Sequence, residues 1–460
     1  MSAVASLRED LLRIVPDESR VGDGESLLDQ HGGDLSYHAP RRPDVVVFAA
    51  STAEVSAVLA YANEARVAVV PFGAGTSLEG HVIPLQGGIS LDLTRMNRIL
   101  EVRPEDLTAT VEAGVTRLQL EAATGPHGVF FPVDPGADAT LGGMAATNAS
   151  GTTTVRYGGM RAHVLAVEAV LADGSVVRAG SRAAKTSAGY NLAQLLIGSE
   201  GTLGVITELT LRLHPIPEHV VVARAAFPSV EAACSAAAMI VGAGVPVSRC
   251  ELVDATTIAA LNAYKGTTFP ESPYLFVEIG GSESAVAADL ETARELLEDE
   301  GATAFEAESD PTARARIWDA RHNSLHASLT LAPGSRTMIT DVAVPVSELA
   351  GAMEHARGVL DRSGLRGGIV GHAGDGNFHV AFLLDPADSE SLARAKALND
   401  AVVEDALARG GTCTGEHGVG MGKLAYLERE HGDLLDLYRG IKQVFDPNGI
   451  LNPGKAVPAL

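Results

Sequence analysis

Residues 134–159, DPGADATLGGMAATNASGTTTVRYGG, carry almost no large side chain before Val155. A packed interior cannot be built from such a stretch, because glycine, alanine, serine and threonine bury little apolar surface. It can lie closely along a large flat molecule, since small residues let the backbone itself make contact. Two further segments share this character. PFGAGTSLEGH, 71–81, places Gly73, Ala74, Gly75, Thr76 and Ser77 directly after the strand-like VAVV of 67–70. GSEGTLGVIT, 198–207, leads into another strand. Successive amides in a glycine-rich loop can form an anion-binding nest, and Thr76 and Ser77 add hydroxyl donors. One such loop is as often a plain turn. Three in one region favour a bound dinucleotide.

The surrounding pattern is α/β. VVVF at 45–48 reads as a strand. Residues 52–64 read as a helix, with Thr52 as cap, Glu54 in the first turn and Val55, Val58, Leu59 and Ala62 on one side. Further strands are expected at 89–93, 108–112, 166–171, 175–178 and 205–213, with a hairpin at Ala172-Asp173-Gly174. Pro215 and Pro217 punctuate the chain, and a domain boundary is expected there. Beyond it, strands at 220–227, 274–281 and 338–344 alternate with helices around 229–244, 288–300 and 347–362. GGIVGHAG and NFHVAFLL form an antiparallel pair, followed by a long helix over 388–409. This half reads as an α+β domain with helices packed on one sheet.

That pair carries chemistry. GHAGDGNFH, 371–379, holds His372 and His379 around Gly374-Asp375-Gly376, and GEHG, 415–418, holds Glu416 and His417. Two imidazoles and a carboxylate suit a divalent metal such as zinc or manganese. His417 would then be left to move protons. The bland alternative is a hairpin turn at Asp375-Gly376-Asn377 with structural histidines. Some forty residues separate the two segments, and spacing alone does not bring them together.

Bulk properties exclude other classes. The 35 basic and 58 acidic residues give a net charge of −23, which disfavours nucleic acid and anionic membranes as partners. The N-terminal MSAVASLREDLLRIV spaces Leu7, Leu11, Leu12 and Val15 as one helix face, interrupted by charge, unlike a secretory signal. No apolar run spans a bilayer. Cys234, Cys250 and Cys413 form no C-x-x-C pair, so a reducing compartment fits. A cytoplasmic protein is expected, with peripheral docking at a membrane compatible. Two nucleotide fingerprints fail: Leu78 stands where a nicotinamide loop needs its third glycine, and Leu424 replaces the hydroxyl residue of a P-loop at 415–423.

Taken in order, PFGAGTSLEGH, DPGADATLGGMAATNASG, GSEGTLGVITELTLRL, GHAGDGNFH, GEHGVGMGK and FDPNGILNPGK resemble the FAD-dependent D-lactate and D-2-hydroxyacid dehydrogenases. These are flavoproteins of the vanillyl-alcohol oxidase type, related to glycolate oxidase D subunits. The resemblance runs from about 40 to 455, and IWDARHNSLHASLTLAPGSRTMITDVAVP at 317–345 looks most like the D-lactate branch. It implies an α+β protein: a two-subdomain α/β FAD-binding domain and an α+β, ferredoxin-like cap. The expected divisions are a helical lead-in over 1–40, the FAD domain over 41–217, the substrate and cap domain with the metal site over 218–445, and a return to the FAD domain over 446–460.

The resemblance also assigns residues. The loop Gly73, Ala74, Gly75, Thr76 and Ser77, with Pro71, Gly80 and His81 beside it, would hold the FAD pyrophosphate. Pro135, Gly142, Gly143, Ala146, Asn148, Gly151, Glu200, Gly201, Gly204, Val205, Ile206 and Asn452 would line the rest. Some relatives attach FAD through a histidine near this loop; non-covalent FAD is expected here. His372, His379 and Glu416 would bind the metal. His417 would be the general base, and Arg321 would hold the substrate carboxylate. Met338, Ile339 and Thr340 occupy positions where a second carboxylate would need a cation, so a small monocarboxylate, D-lactate first, is expected. The electron acceptor would be a quinone, a cytochrome or an electron-transfer flavoprotein. The alternatives are a glycolate-oxidase-like flavin subunit that needs partners, and a metal-dependent hydrolase, which leaves the glycine loops without a purpose.

Overall fold

The computed structural model describes residues 3–385 and 387–458. The chain forms two compact units. The first contains the residues up to Gly151, Gly158–Ile216 and everything from Glu416 onward; the second contains Thr152–Tyr157 and Pro217–Gly415. The chain crosses back at Gly415–Glu416, well before 446, and the second unit takes a short piece of the small-residue stretch. The lead-in belongs to the first unit. Its helix Ala3–Ile14 buries Leu7 and Leu11, and Val21–Gly22 pairs antiparallel with Val45–Phe48.

Two subdomains make up the first unit. In one, Val45–Phe48, Ile89–Asp92 and Val69–Phe72 form a parallel sheet, and Val45, Val47, Val69, Ile89 and Leu91 are fully buried in its core. Parallel strands covered on both faces read as continuous apolar runs, which is why VVVF was legible. The helix Thr52–Ala65 connects strands Val45–Phe48 and Val69–Phe72. Its cap is Ser51 rather than Thr52: the Ser51 hydroxyl accepts from the Glu54 amide at 3.3 Å, while the Thr52 hydroxyl donates to Glu168. The other subdomain is an antiparallel sheet in the order Ile99–Arg103, Thr108–Glu112, Val205–Arg212, Val164–Val170, Val176–Gly180. Its core centres on Val111, Leu141, Met144, Leu209 and Leu211.

The small-residue stretch is less irregular than expected. Leu141–Thr147 is a helix, because leucine, methionine and alanine favour one. Its glycines are needed on the packed side: a Cβ on Gly142 would lie 2.6 Å from the Ala113 Cβ.

The second unit is one antiparallel sheet flanked by helices. Strand His219–Ala226, helix Val230–Gly242, strands Val247–Val253 and Tyr274–Gly281, helix Glu283–Asp299 and strand Thr303–Glu308 follow in β-α-β-β-α-β order, with an additional helix, Ala255–Lys265, inserted between the two middle strands. In space they run fourth, first, third, second, the ferredoxin-like arrangement. The sheet continues through Arg366–His372, Asn377–Leu384 and Arg336–Ile339. The strand expected over 338–344 is broken into Arg336–Ile339 and Val342–Ala343. The break releases Thr340 and Asp341 to accept hydrogen bonds from the neighbouring strand.

Candidate functional site

In the first unit the three glycine-rich loops meet. Gly198 and Glu200 donate their amides to the carbonyls of Ala145 (2.9 Å) and Ala146 (2.8 Å). The Asn452 amide donates to Val69 O and the Val69 amide to Ile450 O, both at 2.8 Å, so the closing segment runs beside the strand that leads into Pro71 and Gly73. The Asn452 side chain then donates to Glu200 O at 2.8 Å and His81 O at 3.1 Å. A Cβ on Gly201, whose φ is +72°, would lie 2.8 Å from Pro71, and one on Gly73 would collide with Thr140. Gly75 has φ +66° and backs onto Phe72, while Gly143 faces Thr140. Asn148 closes the helix with φ +52°, and a Cβ on Gly151 would lie 2.5 Å from Asp134 O. Pro135 lies in the loop before this helix, and Gly204 leads into the buried Val205 and Ile206. A cradle whose walls are backbone fits a bound dinucleotide.

Two side chains act differently from expectation. The Ser77 hydroxyl donates to Asp34 at 2.9 Å, and the Gly80 amide donates to the same oxygen at 2.8 Å. The loop is therefore shaped by Asp34, and Thr76 is left as its hydroxyl. The Glu200 carboxylate accepts the amides of Val419 (2.7 Å) and Gly420 (2.8 Å). It holds the loop after His417, which leaves only the Glu200 backbone to line the cradle.

His81 is buried with Nε2 3.3 Å from Glu200. That separation is an ion-pair distance, although neither ring nitrogen has hydrogen-bond geometry. Burial pushes the His81 imidazole down, but Glu200, Glu79 and Asp34 outweigh it and raise its pKa. Burial likewise pushes the Glu200 carboxyl up, and His81 with the two amides brings it below the usual range. The Lys455 ammonium donates to His81 O (3.1 Å) and Ile83 O (2.6 Å), and burial lowers its pKa to about 8. Gly418 packs against His81 and Glu200. His417 thus stands beside the cradle, with Nδ1 3.9 Å from Glu79. Glu416 accepts from Ser150 at 3.4 Å.

In the second unit, the hairpin sets Val370 opposite His379 and His372 opposite Asn377. The two imidazoles lie edge to face, 5.5 Å between ring centres, with ligand nitrogens within 4.8 Å. His379 Nδ1 is 3.0 Å from Thr340 O. A carbonyl only accepts, so Nδ1 carries the proton and the lone pair sits on Nε2. His372 Nδ1 is 2.7 Å from Glu251. Both rings have the oriented form that metal ligands adopt. Arg321, on helix Pro311–His322, donates to the same Glu251 at 2.7 and 3.0 Å. Gly415 packs against Asn377 and Asp341.

Sequence reasoning missed Glu251, Glu79, Asp34, Asp341 and Lys455. A lone acid amid the apolar and cysteine side chains of VSRCELV was the one available signal for Glu251.

Comparisons with known proteins identify the family. Residues 43–180 match the family described as FAD binding domain, and 216–456 match FAD linked oxidases, C-terminal domain. The chain is 44% identical to a probable mitochondrial D-lactate dehydrogenase of Danio rerio, covering 97% of this chain and 90% of that protein. It is 44% identical to the mitochondrial D-lactate dehydrogenase [cytochrome] of Arabidopsis thaliana, covering 92% and 75%. Identity to the glycolate oxidase subunit GlcD of Bacillus subtilis is 34%, covering 95% of each. The fold is similar to 4-ethylphenol oxidase from Gulosibacter chungangensis, with TM-score 0.80 at 19% identity over 99% of this chain and 98% of that one. The architecture is that of the vanillyl-alcohol oxidase type. No helix among the described residues is long and apolar enough to cross a membrane. The chain belongs to the FAD-linked oxidases, with D-lactate dehydrogenases and glycolate oxidase subunits as its relatives, and is an FAD-dependent oxidoreductase.

Proposed function

We propose that the protein oxidises a D-2-hydroxy acid, D-lactate first, to the 2-oxo acid. The observation that carries this reading is the pair His372 and His379, each oriented through Nδ1, one by Glu251 on the adjacent strand and the other by the Thr340 carbonyl in the strand break. With Glu416 they would hold a zinc or manganese ion. Glu416 directly follows Gly415, which packs against Asn377, the residue paired with His372. Such an ion, when bound, would polarise the substrate's hydroxyl oxygen. FAD, when bound in the cradle, supplies the acceptor for the hydride on the α-carbon.

The chain's own residues do the rest. His417 takes the hydroxyl proton, a contribution of roughly 100- to 10,000-fold. Arg321 holds the carboxylate with its planar fork. Met338 is buried and Ile339 pairs with Ala381, so neither position offers a cation for a second carboxylate. This supports a small monocarboxylate. FAD is held without a covalent bond: both His81 nitrogens lie in the buried pocket shared with Glu200, Glu79 and Asp34. Acid precipitation should release the flavin into the supernatant, and a yellow pellet would contradict this.

The decisive experiment is His417→Ala mixed anaerobically with D-lactate. The variant should keep its FAD, and the yellow colour should persist; rapid bleaching would remove His417 as base. A metal-dependent hydrolase is no longer needed, because the glycine loops have their purpose in the FAD-linked family. A flavin subunit that works only in a complex remains the second reading, favoured by the GlcD relative. Bleaching of the isolated wild-type chain by D-lactate would dismiss it. Among acceptors, the cytochrome-type D-lactate dehydrogenase relatives support a cytochrome over a quinone or an electron-transfer flavoprotein. Cys234, Cys250 and Cys413 are buried thiols outside any disulfide, which suits a reducing compartment such as the cytoplasm. The Danio rerio and Arabidopsis thaliana relatives are mitochondrial D-lactate dehydrogenases.

A further inference from the structure

We infer that Glu251 is a positioning residue that serves both His372 and Arg321 with one carboxylate. The inference rests on the ligand and carboxylate-binding roles proposed above, and it adds what fixes both groups. Glu251 is fully buried on strand Val247–Val253, in register with His372 on the adjacent strand. Paired residues on neighbouring strands share a face of the sheet. The two oxygens are divided. Oε1 lies 2.7 Å from His372 Nδ1, and Oε2 accepts from Arg321 Nη2 at 2.7 Å and Nε at 3.0 Å. A buried carboxylate is costly unless every partner is a donor, and both partners here are donors.

The consequence for His372 is specific. A carboxylate only accepts, so the imidazole keeps its proton on Nδ1 and presents the Nε2 lone pair. His379 obtains the same form from the Thr340 carbonyl, so the paired ligands are oriented by two independent acceptors. For Arg321 the same carboxylate engages Nε and one terminal nitrogen, which fixes the plane of the guanidinium. One side chain thereby couples the orientation of a proposed metal ligand to that of the proposed substrate anchor.

Glutamine at this position separates the two effects, because it keeps the shape but turns one oxygen into a donor. If the amide nitrogen faces Arg321, two donors oppose each other and the guanidinium is released. If it faces His372, the ring must accept at Nδ1, and its proton moves to Nε2. Aspartate keeps the charge on a stem one methylene shorter.

The test compares wild-type, Glu251→Gln and Glu251→Asp holoenzymes. Chelator-treated protein is titrated with Zn²⁺ and with Mn²⁺, KM and kcat are measured with D-lactate, and the ¹⁵N shifts of His372 are read in histidine-labelled protein. In Glu251→Gln we expect ion affinity to fall about ten- to a hundredfold, as loss of a ligand's orienting partner generally causes, or KM to rise by a similar factor. The His372 nitrogen pattern should shift in the first case, FAD content should not change, and aspartate should restore part of the loss. Glutamine with wild-type ion affinity, KM and nitrogen shifts would overturn the inference. So would a variant that loses FAD and melts early without rescue by aspartate, since that marks a purely structural carboxylate. Wild-type protein that binds neither ion would refute the metal reading instead. The His372 shifts and the KM would still decide whether Glu251 orients both side chains.

Discussion

Glu200 and Gly201 both adopt left-handed backbone, with φ of +55° and +72°. For glutamate this conformation costs about 1–2 kcal/mol, so the surroundings must impose it. They do so at four points: the Glu200 amide on Ala146, its carbonyl on Asn452, and its carboxylate on two amides after Gly418. At Gly201 there is no room for the same accommodation, because an added Cβ meets Pro71. Gly201→Ala should therefore cost about 1–2 kcal/mol from backbone strain. It should also lower the ratio of flavin to protein absorbance. Denaturant titration reads the first, and a wild-type flavin ratio would show that this turn is not a cofactor wall.

The same corner carries a pH dependence. His81 has a raised pKa, so its share of stability is present at lower pH and is lost as pH rises through that raised value. Glu200 has a lowered pKa, so its share is present at higher pH and is lost as pH falls through that lowered value. Together they stabilise a window reaching from below the usual carboxylate range to above the usual imidazole range. Glu200→Gln should flatten that profile in thermal melts across pH. An unchanged profile would mean that the pair does not control it.

At the scale of elements, the closing helix Leu434–Phe445 and the segment after it hold the cradle from behind. Asp446 is buried and accepts the amides of Ile450 (3.0 Å) and Leu451 (2.8 Å) while pairing with Lys442. Lys442 also donates to Thr202 O at 2.7 Å, tying this segment to the loop of 198–202. Removing one partner of a buried pair leaves the other uncompensated, at about 3–5 kcal/mol. Asp446→Ala should lose stability of that order in urea titrations, and a loss below about 1 kcal/mol would show the pair to be ornamental.

Elements governed by local pattern were legible: the VVVF strand, the helix behind it, and the hairpin carrying the two histidines. The strand Val247–Val253 was not. Ser248, Arg249 and Glu251 interrupt its apolar run, and the partners that satisfy Glu251 lie 121 and 70 residues away. A buried acid reads as a surface residue until its partners are known. The same holds for the break at Thr340-Asp341, which sequence runs together as one strand.

Across the whole molecule, six ordered motifs made the family and the cofactor readable, because backbone contact with a large ligand dictates glycine at fixed places. Three of the four crossing points between units were less legible. They fall inside motifs, at Gly151–Thr152, Tyr157–Gly158 and Gly415–Glu416, where glycines and small residues give no change of composition. Each unit has its own apolar core, one around Val111 and Leu209, another around Ile258, Phe276 and Trp318. The cradle loops 73–81 and 198–202 bury little apolar surface of their own, so their order depends on what they enclose. A ligand that binds only the folded state stabilises it by about 4 kcal/mol at a thousandfold excess over Kd. Removing FAD should therefore speed amide hydrogen exchange over 73–81 and 198–202. Strands His219–Ala226 and Tyr274–Gly281 should keep their protection. A chelator should act in the opposite place, loosening 366–384 while the cradle stays closed. Equal acceleration of both units on loss of FAD would show that the flavin stabilises one cooperative structure, and that the second core does not hold on its own.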